Sequence, residues 1–168
     1  DRQAIAMSNS HSNTLRPLPE QQVGILIAGG GPVGMALALA LEEYGYKVLL
    51  LEAHALPETV DDPRPLALSY GSYLILRRLG VWERLTQPTP ILAVHITNRG
   101  HSGQTHLTPN DAGGVAALGY VVNYHELYAA LRTLIQQGQT NYQTDAQVVS
   151  FLTDTQYARV MYRQDGMD

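Results

Sequence analysis

Apolar residues fall in short, dense blocks punctuated by glycine and proline. The first block, Val23-Gly24-Ile25-Leu26-Ile27-Ala28, runs straight into glycines, the form of a strand buried in a parallel sheet. The second, Met35 to Tyr44, is rich in alanine and leucine, both strong helix formers. Gly45 follows it, where a helix C-terminus favours glycine. The third, Lys47-Val48-Leu49-Leu50-Leu51, reads as another buried strand. Its unbroken apolarity requires cover on both faces and predicts a parallel sheet with helices around it.

Further along, the blocks are weaker. Residues 53–65 read as a loop carrying Pro57, Pro63, Pro65 and the acidic pair Asp61-Asp62. A helix is predicted from Ser69 to Leu79, closed by Gly80, with a helical turn from Val81 to Leu85. Between Leu92 and Leu107 the pattern turns to β, with Ala93–Thr97 and Gln104–Leu107 joined by a turn at Asn98-Arg99-Gly100. Residues 109–114 form a loop. His125 to Gln137 predicts an amphipathic helix with Leu127, Leu131, Leu134 and Ile135 on one face. Val148–Leu152 and Tyr157–Tyr162 predict an antiparallel pair, and Asp165-Gly166 reads as a further hairpin turn. Residues 1–22 are polar and broken, a flexible tail by composition, in which Met7 is a candidate natural initiator.

Composition narrows the classes. The chain has 168 residues, 45% hydrophobic and 15% charged, enough apolar material for a core. Its 11 basic and 15 acidic residues give a net charge of −4, which argues against a nucleic-acid partner. It has no cysteine, which excludes disulfides and thiol chemistry and fits a reducing compartment. The sequence lacks a ~20-residue apolar span and a basic-then-apolar leader, so a cytoplasmic protein is expected. His95, His101 and His106 are spaced by six and five positions with no His-Glu-x-x-His pattern, so surface or structural roles are expected and no metal. Arg77-Arg78 reads as a solvated helix face. Ser69 and Ser72 lack a G-x-S-x-G elbow.

The informative chemistry lies in Gly29-Gly30-Gly31-Pro32-Val33-Gly34, which fits G-x-G-x-x-G. Gly29 lets the chain turn off the strand, Gly31 lets backbone N–H groups approach a pyrophosphate, and Gly34 lets the helix pack closely. The phosphates then sit at a helix N-terminus, where N–H groups and the helix dipole favour negative charge. Pro32 suits the first turn, where its missing N–H is not needed. The loop follows a predicted strand and opens a predicted helix, and the second strand ends at Glu52, 18 positions after Gly34. That is close to the ~20 expected for the acid that accepts ribose hydroxyl bonds. A glycine-rich turn in some other α/β protein is the alternative, and it would not demand this context. Glu52 argues against a 2′-phosphate on this unit. Spacing alone leaves FAD and NAD open.

Asp62-Pro63-Arg64-Pro65-Leu66-Ala67-Leu68-Ser69 and Leu76-Arg77-Arg78-Leu79-Gly80-Val81-Trp82 resemble the flavin aromatic hydroxylases related to p-hydroxybenzoate hydroxylase. Val94 to Gly103 and Ala117 to Val122 are most similar to the ubiquinone-biosynthesis hydroxylases of the 2-octaprenyl-6-methoxyphenol hydroxylase type. The resemblance runs from Val23 to the C-terminus. It implies an α/β, Rossmann-like FAD-binding fold: a βαβ unit with a parallel sheet plus antiparallel β excursions. It also implies a truncated chain, with residues 23–168 the N-terminal part of the FAD-binding domain and about 91–108 the start of a substrate-domain β segment.

The implied cofactor is FAD, with Gly29, Gly31, Pro32, Val33 and Gly34 at the pyrophosphate, Glu52 and Ala53 at the adenosine ribose, Arg64 along the cofactor and the backbone near Val148 beside the adenine. The implied reaction hydroxylates a polyprenylated phenol with NAD(P)H and O₂. That substrate implies contact with the inner-membrane surface and association with other ubiquinone-biosynthesis enzymes. Tyr120 departs from the pattern, standing where p-hydroxybenzoate hydroxylase has a glutamine near the ribityl chain; Asn123 or His125 are the alternative polar groups. No catalytic acid or base is implied. The rival readings are a flavoenzyme acting on a soluble aromatic, an epoxidase, and a non-catalytic nucleotide-binding module.

Overall fold

The computed structural model describes residues 21–55, 62–97 and 104–164. Nearly all of the expected tail, the Asn98-Arg99-Gly100 turn, His101, much of the 53–65 loop and the Asp165-Gly166 turn lie outside the described residues.

The first predicted unit forms as read. Strand β1 (Ile25–Ala28) leads through the glycine loop into helix α1 (Pro32–Glu43) and back to strand β2 (Val48–Leu51). The two strands are parallel, with Ile25 opposite Val48 and Ala28 opposite Leu51. The helix starts three residues before the alanine-rich block because Pro32 occupies its first turn, where proline's fixed φ is already helical. It ends where Gly45 adopts φ +79°. The Gly45 and Tyr46 N–H groups then donate to the Glu42 and Leu41 carbonyls at 2.8 and 3.2 Å, satisfying the last turn.

Strand β2 is fully buried, as its apolarity requires. The cover differs from expectation. Val48 and Leu50 pack with Met35 and Ala38 of α1 and with Leu127, Leu131 and Ile135 of a later helix. Leu49 and Leu51 point the other way, onto Ala146 with Val148 and Tyr162 beside it. Helices therefore cover one face and a β-hairpin covers the other. Periodicity shows that both faces are buried but carries no information about what buries them.

Ser69 caps helix α2 (Tyr70–Arg78), its Oγ accepting from the Ser72 N–H at 3.1 Å. Gly80 closes α2 with φ +70°, and a 3₁₀ turn follows at Trp82–Arg84. Before and after lie two strands that the sequence pattern does not indicate, β3 (Pro65–Ser69) and β4 (Thr89–Ile91). Both pair antiparallel with β7 (Gly119–Asn123), giving the order β3-β7-β4. Each is short and carries a proline, which sheets accept only at edges, and both flank β7. Gly119 meets the Leu68 carbonyl so closely that a Cβ would overlap it.

Strands β5 (Val94–Thr97) and β6 (Gln104–Leu107) form a separate exposed antiparallel ribbon, with His95 opposite His106. Strand β7 passes directly into helix α3 (Tyr124–Gln137), which packs beside α1. Strand β8 (Asn141–Gln143) then adds to the open edge of β2 in parallel, giving the order β1-β2-β8. The predicted antiparallel pair follows as β9 (Ala146–Thr153) and β10 (Ala158–Gln164), longer than expected and bulged at Met161/Tyr162. Among the described residues no helix is long and apolar enough to cross a membrane.

Candidate dinucleotide-binding site

The glycine loop joins the end of β1 to the start of α1. Gly29 has φ +112°, a conformation that glycine adopts without strain, and its N–H donates to the Leu51 carbonyl at 2.8 Å. Gly34 faces back onto that turn, and a Cβ there would overlap the Gly29 carbonyl oxygen. This is the close helix-to-strand approach expected of the last glycine. Gly31 is the N-cap of α1, and a Cβ built on it meets nothing within 4 Å. The space beside Gly31 is therefore open to a ligand rather than filled by the protein. The first-turn N–H groups of α1, at Val33 and Gly34, have no partner within the helix.

Glu52 follows β2 and reaches across to the loop. Its Oε2 accepts from the Gly30 N–H at 2.8 Å, while Oε1 accepts from the His54 N–H and contacts the His54 imidazole, both at 3.0 Å. Its backbone is equally tied. The Glu52 N–H donates to the Gln143 carbonyl and the Glu52 carbonyl accepts from the Ala146 N–H, both at 2.8 Å. Burial pushes the carboxyl pKa up, but the His54 and Gly30 backbone donors, aided by the His54 ring, outweigh it and hold Glu52 below the usual carboxylate value. An ionised carboxylate beside the loop is the acceptor that ribose hydroxyls need.

The other expected residues divide. Val148 sits on β9, half-buried against the Leu49–Leu51 face, and the Ala146–Glu52 bond brings the start of that strand to the site. Ala53 is exposed beside Glu52. Arg64 immediately precedes β3. Its Nε and Nη2 donate to Asp62 at 2.8 and 2.6 Å, its guanidinium lies 5.5 Å from the Tyr124 ring centre, and its carbonyl accepts from the Tyr124 N–H. Among the described residues, none of these bonds ties Arg64 to the glycine loop. Tyr120 is engaged in an aromatic cluster, with ring centres 4.9 Å from both Tyr73 and Trp82. Asn123 is the N-cap residue of α3, and its side chain makes no cap bond.

Sequence reasoning missed two participants. Gly30, the x of G-x-G, is buried, and a Cβ there would run into Tyr142 and Glu52. Tyr142, on the unforeseen strand β8, directs its hydroxyl to the Gly30 carbonyl at 3.3 Å. The run of three consecutive glycines, with Gly30 in the middle, was the available signal for Gly30. None marked Tyr142, since β8 has only three residues.

A family model described as an FAD binding domain matches residues 22–168. The chain belongs to that FAD-binding family. This FAD-binding chain is 28% identical over 153 residues to an uncharacterized protein of Synechocystis sp., spanning 90% of the chain and 37% of the relative. It is 32% identical over 139 residues to the ubiquinone hydroxylase UbiM of Neisseria meningitidis, spanning 78% and 28%. The structure of the flavin-dependent monooxygenase PieE in complex with FAD and substrate shares the fold, with a TM-score of 0.66 and 24% identity over 86% of this chain and 27% of that one. The chain thus spans about a third of the length of the curated relatives it matches.

The geometry fits FAD. Open space at Gly31, a helix N-terminus behind it and an ionised Glu52 at its side suit a pyrophosphate joined to a ribose. FAD, when bound, supplies redox chemistry.

Proposed function

We propose that the protein containing this chain is an FAD-dependent monooxygenase that hydroxylates a polyprenylated phenol in ubiquinone biosynthesis, with NAD(P)H and O₂ as co-substrates. The observation that carries this reading is the 32% identity to the Neisseria ubiquinone hydroxylase across 78% of the chain, laid over a glycine loop and acid built for a dinucleotide. The finer assignment, to the 2-octaprenyl-6-methoxyphenol type, rests on the Val94–Gly103 and Ala117–Val122 segments.

Within that reading, Gly29, Gly31, Pro32, Val33 and Gly34 receive the pyrophosphate, Glu52 and Ala53 border the ribose, and the backbone near Val148 borders the adenine. Arg64, held by Asp62 and against Tyr124, lies along the cofactor. The exposed β5–β6 ribbon opens the substrate domain, and residues 23–168 form the N-terminal part of the FAD-binding domain. A polyprenylated substrate places the enzyme at the inner-membrane surface beside other enzymes of the same pathway.

The test is incubation of the purified protein with FAD, NADH or NADPH, and a short-chain polyprenyl phenol under O₂. A ring-hydroxylated product, with one oxygen atom traced to ¹⁸O₂, is expected. NAD(P)H oxidation that yields only hydrogen peroxide with prenyl phenols, but hydroxylated product with soluble phenols, would overturn the substrate assignment.

A further inference from the structure

The two peptide units flanking Gly30 are each held by a side chain, one from Glu52 and one from Tyr142. In the Gly29–Gly30 unit, the N–H is bound by Glu52 at 2.8 Å and the Gly29 carbonyl lies against Gly34. In the Gly30–Gly31 unit, the carbonyl is held by the Tyr142 hydroxyl at 3.3 Å. A trans peptide is planar, with its C=O and N–H directed oppositely. Holding the Gly30 oxygen toward β8 therefore turns the Gly31 N–H away from β8. A Cβ built on Gly31 meets nothing, so the space beside Gly31 is open.

We propose that Tyr142 is a positioning residue for the dinucleotide: through the Gly30 carbonyl, it aims the Gly31 N–H at the pyrophosphate before the ligand arrives. The inference rests on the FAD-binding reading of this loop. The Tyr142 ring also packs against Gly30, which is why no side chain fits there. Burial, and then a hydrogen bond with the Tyr128 side chain, push the Tyr142 phenol pKa up, so the hydroxyl stays protonated beside the Gly30 carbonyl and Tyr128.

The delivery of Tyr142 to this point is itself built. Glu42, near the far end of α1, accepts from the Gln139 N–H, and from the Thr140 N–H and Oγ1 at 3.2 and 2.8 Å. Those residues launch β8. The segment from Gln139 to Tyr142 thus ties to both ends of α1.

The experiment compares FAD, ADP and adenosine binding to the wild-type chain and to Tyr142→Phe, by flavin fluorescence quenching and by calorimetry or NMR for the other two. Phenylalanine keeps the ring and removes only the hydroxyl. Tyr142→Phe is expected to weaken FAD and ADP about fivefold, the scale of one neutral hydrogen bond, and to leave adenosine, which has no phosphate, unchanged. The Gly31 amide resonance should shift in the ligand-free variant. Wild-type affinity for FAD, or equal weakening of all three ligands, would overturn the proposal while leaving the FAD reading intact. A wild-type chain that binds neither FAD nor ADP would overturn the FAD reading, and the proposal with it.

Discussion

The Glu52 carboxylate and the Gly30 amide, 22 positions apart in the chain, meet at 2.8 Å. The acid proposed for the ribose is thus also the brace of the loop proposed for the phosphates. Replacing Glu52 by glutamine removes a charge-assisted acceptor, a class of bond worth roughly 1.5–3 kcal/mol. FAD affinity should fall at least about tenfold by fluorescence titration. Unlike Tyr142→Phe, this variant should also weaken adenosine, because the proposed reading sets Glu52 at the ribose itself.

The same carboxylate gives stability a pH dependence. Its folded pKa lies below the ordinary value of 4.5, so on acidification the unfolded chain takes up the proton first. Its contribution is present above about pH 4.5 and is lost as pH falls through the folded value. Glutamine at 52 cannot titrate. The difference in thermal midpoint between wild type and Glu52→Gln should therefore be largest near neutrality and shrink as pH falls below about 4.5, which isolates Glu52 from the other acids.

Gly31 and Gly34 should separate binding from folding. Alanine at 34 forces its Cβ into the Gly29 carbonyl, an overpacking that costs about 1–3 kcal/mol or more; urea denaturation should show it. Alanine at 31 meets open space and sits at φ −72°, which alanine tolerates. Gly31→Ala should unfold like wild type yet bind FAD much more weakly, because its methyl group occupies the ligand's approach.

Glu42 tests the tie between α1 and β8. Glu42→Ala leaves the Thr140 N–H and hydroxyl without their acceptor, and unmet polar groups of this kind cost about 1–3 kcal/mol. Equilibrium unfolding should register that loss. Glu42→Gln, which retains an acceptor oxygen, should recover part of it.

The nucleotide end of the fold was legible because its sequence signals are local. The glycines, Pro32, the alanine-rich helix and Gly45 each act within a few residues, and β1, α1 and β2 appear where they point. Strands β3, β4, β7 and β8 were not legible. They are three to five residues long, and their stability comes from partners distant in sequence, such as Leu66 across from Val122. Tyr142 shares that fate, because its role depends on a strand whose position is set by β2 and Glu42. Hairpin β9–β10 was visible as strands, but its place beneath Leu49 and Leu51 was not.

Helix α1 has no acidic side chain in its first turn and no basic one in its last. Its two acids, Glu42 and Glu43, stand instead at the C-terminal end, opposed to the dipole and matched only by donors from outside the helix: the Gln139 and Thr140 groups, and Arg78, 3.3 Å from Glu43. The unfavourable end is thus answered by atoms from elsewhere in the chain, whereas the positive end has no acid of its own helix and faces only the Glu52 carboxylate, which is bound to the Gly30 N–H of the preceding loop. On the proposed reading, a bound diphosphate would add its charge to that of Glu52 at this end.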